Sequence, residues 1–99
     1  MDNDIETVFD LESLRNWNRS QLKLLKIFVR NDLVTQKMLA GATGMTPKSN
    51  ALGGKITALS RSGLILKAGK DESGEWLWQL NDNKVKKDDL QLFLEKLGV

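Results

Sequence analysis

Ninety-nine residues, 40% hydrophobic and 28% charged, suffice for one globular domain and exclude wholesale disorder. The absence of Cys and His removes disulfides, thiol and imidazole chemistry and soft-metal sites together. The formal charge of +2 conceals a segregation: residues 1–14 carry −5, residues 15–70 carry +10, and residues 71–99 carry −3.

The acidic start (Asp2, Asp4, Glu6) does not suit a secretory signal, and no apolar run nears the roughly 18 residues of a membrane span. Ile5, Val8, Phe9, Leu11 and Leu14 form an imperfect helical pattern that Trp17 closes. Ser20 is placed to cap a helix whose Leu22, Leu25, Phe28 and Val29 make an apolar stripe, with Lys23, Lys26 and Arg30 outward. Asn31 and Asp32 break it, and Leu33-Val34 suffices only for a strand fragment. Thr35 caps a short helix through Met38, Leu39 and Ala42, which Gly44 ends in a left-handed turn.

Thr46-Pro47 reads as a helix restart, with a capping hydroxyl before a proline at the first helical position. From there Leu52, Ile56 and Leu59 form a stripe, and Gly63 marks the end. Residues 64–69 (LILKAG) and 75–80 (EWLWQL) are strand-like runs around a turn-rich Lys70-Asp71-Glu72-Ser73-Gly74. Trp76, Trp78 and Leu80 fall on one face at period two, a face expected to be core; the tryptophans' alternative role is as platforms for unpaired bases. The tail ends in a helix with Leu90, Phe93, Leu94 and Leu97 on one side and Asp88 or Asp89 near its start.

The order is helix, short strand, helix, tight turn, helix, hairpin, helix. In this respect residues 18–82, and most specifically TQKMLAGATGMTPKSNALGGKITALSRSGLILKAG, resemble the winged helix-turn-helix family of small transcription regulators. The resemblance implies an α+β, mostly helical fold: a three-helix core and a β-hairpin wing. Residues 1–17 would be an acidic extension, and residues 83–99 a C-terminal amphipathic helix. It further implies that the helix at about 47–62 enters the major groove of double-stranded DNA and that the hairpin approaches the backbone.

With Leu52, Ile56 and Leu59 inward, the 100° helical step puts Asn50, Gly54, Thr57 and Arg61 outward, flanked by Ala51 and Ala58. Lys48 and Ser49 fall in the first turn, beside N–H groups able to receive a phosphate. Lys37, Lys55, Lys67 and Lys70 complete the expected DNA-binding set. Two glycines in succession cost helix stability; close packing on the preceding helix is expected for Gly53 and the groove face for Gly54. The wing tip, Asp71-Glu72, departs from the basic tips of many such regulators, so a phosphate contact from the wing's base replaces minor-groove insertion.

The stripe Leu90, Phe93, Leu94, Leu97 serves either to pair two copies or to pack on the chain's own first helix. The acidic residues 1–14 fold against the basic middle or bind a second protein. A regulator on duplex DNA, possible as a homodimer, is thus the first expectation; a winged-helix module contacting a protein partner is the second. No catalytic role, cofactor, metal or membrane association is expected. Gly53-Gly54-Lys55 lacks the spacing and the following Ser or Thr of a phosphate loop. A reducing cytoplasm suits the composition.

Overall fold

The computed structural model describes residues 9–99. The pattern at Ile5 and Val8 lies outside the described residues. A 3-10 helix, Leu11–Asn16, is capped by the Asp10 carboxylate, which accepts from the Glu12 amide. Leu14 is fully buried, while Phe9 and Trp17 pack edge to face at 6.1 Å.

Helix α1 (Arg19–Arg30) is capped by Asn18, whose side chain accepts from the Gln21 amide. Ser20, expected as the cap, instead donates to the Asn18 side chain. Asn18 is already extended and is at least as good a cap as serine, so the helix starts one residue after it. Leu22, Leu25, Phe28 and Val29 are buried as their spacing requires. Leu24 is buried too, because α1 is covered on one side by α2 (Gln36–Thr43) and on another by α4 (Lys87–Lys96).

Strand β1 is only Val34–Thr35, and the Thr35 hydroxyl caps α2 by accepting from the Met38 amide at 3.2 Å. Gly44, at φ +74°, ends α2 in the left-handed turn expected of it. Helix α3 (Asn50–Arg61) starts three residues later than Pro47. Thr46-Pro47-Lys48-Ser49 is a turn of its own, closed by the Ser49 amide on the Thr46 carbonyl at 3.1 Å. Ser49, not Thr46, is the cap, its hydroxyl accepting from the Leu52 amide at 3.0 Å. A proline suits the second place of such a turn as well as a first helical position, and the Gln36 side chain holds the Pro47 carbonyl against α2.

Strands β2 (Ile65–Lys70) and β3 (Trp76–Leu80) form the hairpin, and β1 adds to β3, giving an antiparallel sheet in the order β1-β3-β2. The register pairs Ile65 with Leu80 and Lys67 with Trp78, then shifts so that Gly69 meets Leu77 and Lys70 meets Trp76. Buried Asn81 ties the hairpin's base to the end of α3. Its side-chain amide donates to the Gly63 carbonyl at 2.9 Å, and its backbone N–H donates to that of Leu64 at 2.8 Å.

One core holds Leu14, the α1 stripe, Leu39, Leu52, Ile56, Leu59, Leu64, Ile65, Trp78 and Leu80, together with Val85, Leu90, Phe93 and Leu94. Of the two roles open to the α4 stripe, burial favours packing on its own chain. Leu90, Phe93 and Leu94 are buried within their own chain against α1, and Leu97 is half-buried on the same core. The Arg15 guanidinium lies 5.2 Å from the Phe93 ring centre, so the 3-10 segment closes over this side as well. An amphipathic stripe needs cover, and here α1 supplies it.

Candidate nucleic-acid interface

The outward side of α3 is as its periodicity requires. Asn50, Ala51, Gly54, Thr57, Ala58 and Arg61 are exposed, while Leu52, Ile56 and Leu59 face the core. Among the described residues, the side chains of Asn50, Thr57 and Arg61 make no hydrogen bond or ion pair within the protein. Among the described residues, their polar groups are thus left for an external partner. The Ser49 oxygen is committed to the cap, so its part at a phosphate would fall to its hydroxyl proton. Lys55 stands apart: it is half-buried at the side of α3, where its carbonyl accepts from the Gln21 side chain of α1.

Gly53 and Gly54 differ from expectation in one respect. A Cβ at either would meet nothing within 4 Å, so Gly53 is not demanded by packing on another helix. Both lie in helical backbone without positive φ. Gly53→Ala and Gly54→Ala are each expected to raise unfolding stability by about 1 kcal/mol, measured by urea titration.

Two links relate the elements that carry the remaining lysines. Gln36 joins the start of α2 to the turn before α3, in which exposed Lys48 sits. Lys37, exposed in the first turn of α2, is close enough for its charge to act on Asp71 at the wing turn. Lys67 and Lys70 lie exposed on β2. Asp71 itself is a turn-former. Its carboxylate accepts from the Ser73 hydroxyl at 2.7 Å and from the Ser73 and Glu75 amides at 2.9 Å each. The Ser73 hydroxyl first, and then the Glu75 amide, hold its pKa below the usual carboxylate value.

Trp78 is buried as core, but Trp76, expected beside it, is 42% exposed. The two share a face of the sheet, but Trp76 lies at the turn end of the hairpin, and burial along β3 falls off toward that end. The ammonium groups of Lys67 and Lys70 lie 4.1 and 4.7 Å from the Trp76 ring centre. Trp76 is thus the residue missed in the basic surface. Its signal was the Ala68-Gly69 pair beside it, a composition that favours a bulge.

Three helices, a short strand leading into the second, a tight turn before the third and a following hairpin define a winged helix-turn-helix domain. The chain is similar in structure to a MarR family transcriptional regulator from Silicibacter pomeroyi, with a TM-score of 0.65 at 13% identity over 88% of this chain and 60% of that one. It is equally similar to the YusO protein from Bacillus subtilis, with a TM-score of 0.65 at 13% identity over 89% of this chain and 62% of that one. The chain therefore spans about three fifths of the length of these structures, and the likeness is one of fold. No protein-family model matches the sequence, and no curated protein matches it significantly. No helix among the described residues is long and apolar enough to cross a membrane.

Proposed function

We propose that this chain binds double-stranded DNA as a transcription regulator, with α3 lying in the major groove. The observation that carries this reading is the outward side of α3, where unengaged hydrogen-bonding groups alternate with small residues. Asn50 pairs bidentately with an adenine and Arg61 with a guanine, while the methyl groups of Thr57 and the alanines meet thymine methyls. Gly54 lets the helix approach closely. Lys37 and Lys48 stand at the neighbouring starts of α2 and α3, where phosphates bind, and Lys55 adds charge from the side.

Titration with duplex DNA at several salt concentrations tests the reading. Affinity falls steeply with salt if several phosphates are neutralised, and an absent or flat response removes the idea. Selection from a random duplex library, with the mass of the complex measured alongside, reports specificity and stoichiometry together; a palindromic consensus indicates a dimer on DNA. The protein-interaction alternative draws on Leu66, exposed on the outer face of the sheet, and on the acidic wing tip. The apolar stripe of the C-terminal helix, covered by its own chain, lends it little. A stoichiometric partner retrieved from DNase-treated lysate, with no duplex binding, favours that alternative.

A further inference from the structure

Lys67 and Lys70 are three residues apart, a spacing that puts side chains on opposite faces of a regular strand. Here the register shift between Lys67 and Gly69 leaves Ala68 as one extra residue and returns Lys70 to the face of Lys67. Gly69, at φ +116°, supplies a backbone conformation that side chains disfavour. On this face the Lys67 ammonium lies 4.1 Å from the Trp76 ring centre and 5.7 Å from that of Trp78, and the Lys70 ammonium lies 4.7 Å from Trp76. Neither lysine has an ion-pair or side-chain hydrogen-bond partner among the described residues.

Two like charges repel, and the negative face of the indole offsets that repulsion. The outcome is a preformed pair of cations, each with three N–H donors, beside solvent. Along the same hairpin the charge reverses. Asp71 is drawn into the turn by Ser73 and Glu75, and Glu72 is exposed next to it. An anionic tip cannot settle in the minor groove, where the potential is negative, whereas the cationic stretch before it fits the phosphodiester chain.

We propose that the wing grips the DNA backbone through Lys67 and Lys70, their ammonium groups held on the Trp76 ring, with the acidic tip turned out of the minor groove. This rests on the duplex-binding reading and assigns the wing its own part in it. Trp76 is a positioning residue: it acts through the two lysines and takes no base.

The test uses the full chain and a mixed-sequence duplex, with affinity followed from about 50 to 200 mM salt. Lys67→Gln and Lys70→Gln each lower the slope of log affinity against log salt by about one. Trp76→Leu weakens binding at low salt by about two- to fivefold, and Trp76→Phe, which keeps a ring, restores it. Indole emission changes when the wild-type protein meets DNA, and that change is lost in Trp76→Phe although it still binds. Thermal melts confirm that these exposed variants fold. If both lysine variants keep the wild-type slope while Lys48→Gln lowers it, the grip is refuted and duplex binding stands. If Trp76→Leu binds as the wild type does, the positioning role is refuted. A wild-type protein with no salt-dependent duplex binding overturns this proposal and the functional reading together.

Discussion

Asn50→Ala is expected to weaken binding to the preferred duplex by about 1–3 kcal/mol, a loss of roughly 5- to 150-fold, and to relax the preference at a single base pair. Asn50 is the first residue of α3, and the early residues of a recognition helix are those that reach base edges. Its side chain has no partner among the described residues, and the cap is made by Ser49, so alanine leaves the fold intact. Because Asn50 carries no charge, the salt dependence should not change. Competition between the selected duplex and single-base variants measures the effect. A uniform loss across all sequences would move Asn50 from base reading to backbone contact.

Leu90→Ala is expected to cost about 2–5 kcal/mol of folding stability, the usual range for truncating a fully buried leucine. The value should be independent of protein concentration, since the cover over Leu90 comes from its own chain. Urea unfolding at two well-separated protein concentrations checks this. A midpoint that rises with concentration in the wild type, and no longer does so in the variant, would return Leu90 to an interface between copies. Leu92, on the opposite side of α4 and 60% exposed, gives the contrast: Leu92→Ala should change stability little.

The helix-turn-helix was legible where one residue admits one reading. Gly44 is suited to a left-handed turn, the Thr35 hydroxyl caps α2, and Leu52, Ile56 and Leu59 share one helical side. It was less legible where two readings share the same residues. Thr46-Pro47 fits a helix start and a turn equally, and only the Gln36 contact, which depends on α2 lying alongside, separates them. The stripe on α4 declared that it needed cover without saying from which chain. Leu24 falls outside the α1 stripe, and its burial on a second side of the helix is a property of the assembled bundle. The outward side of α3 followed from periodicity alone. The wing surface did not: alternation separates Lys67 from Lys70, and the bulge that reunites them is a departure from alternation.

The Asn81 tie has a mechanical consequence. Its two hydrogen bonds land on Gly63 and Leu64, the residues through which α3 hands the chain to β2, and the Leu64 amide returns to the Leu59 carbonyl in the last turn of the helix. The hairpin is therefore moored to the last turn of α3, and any force on the wing bears first on that junction.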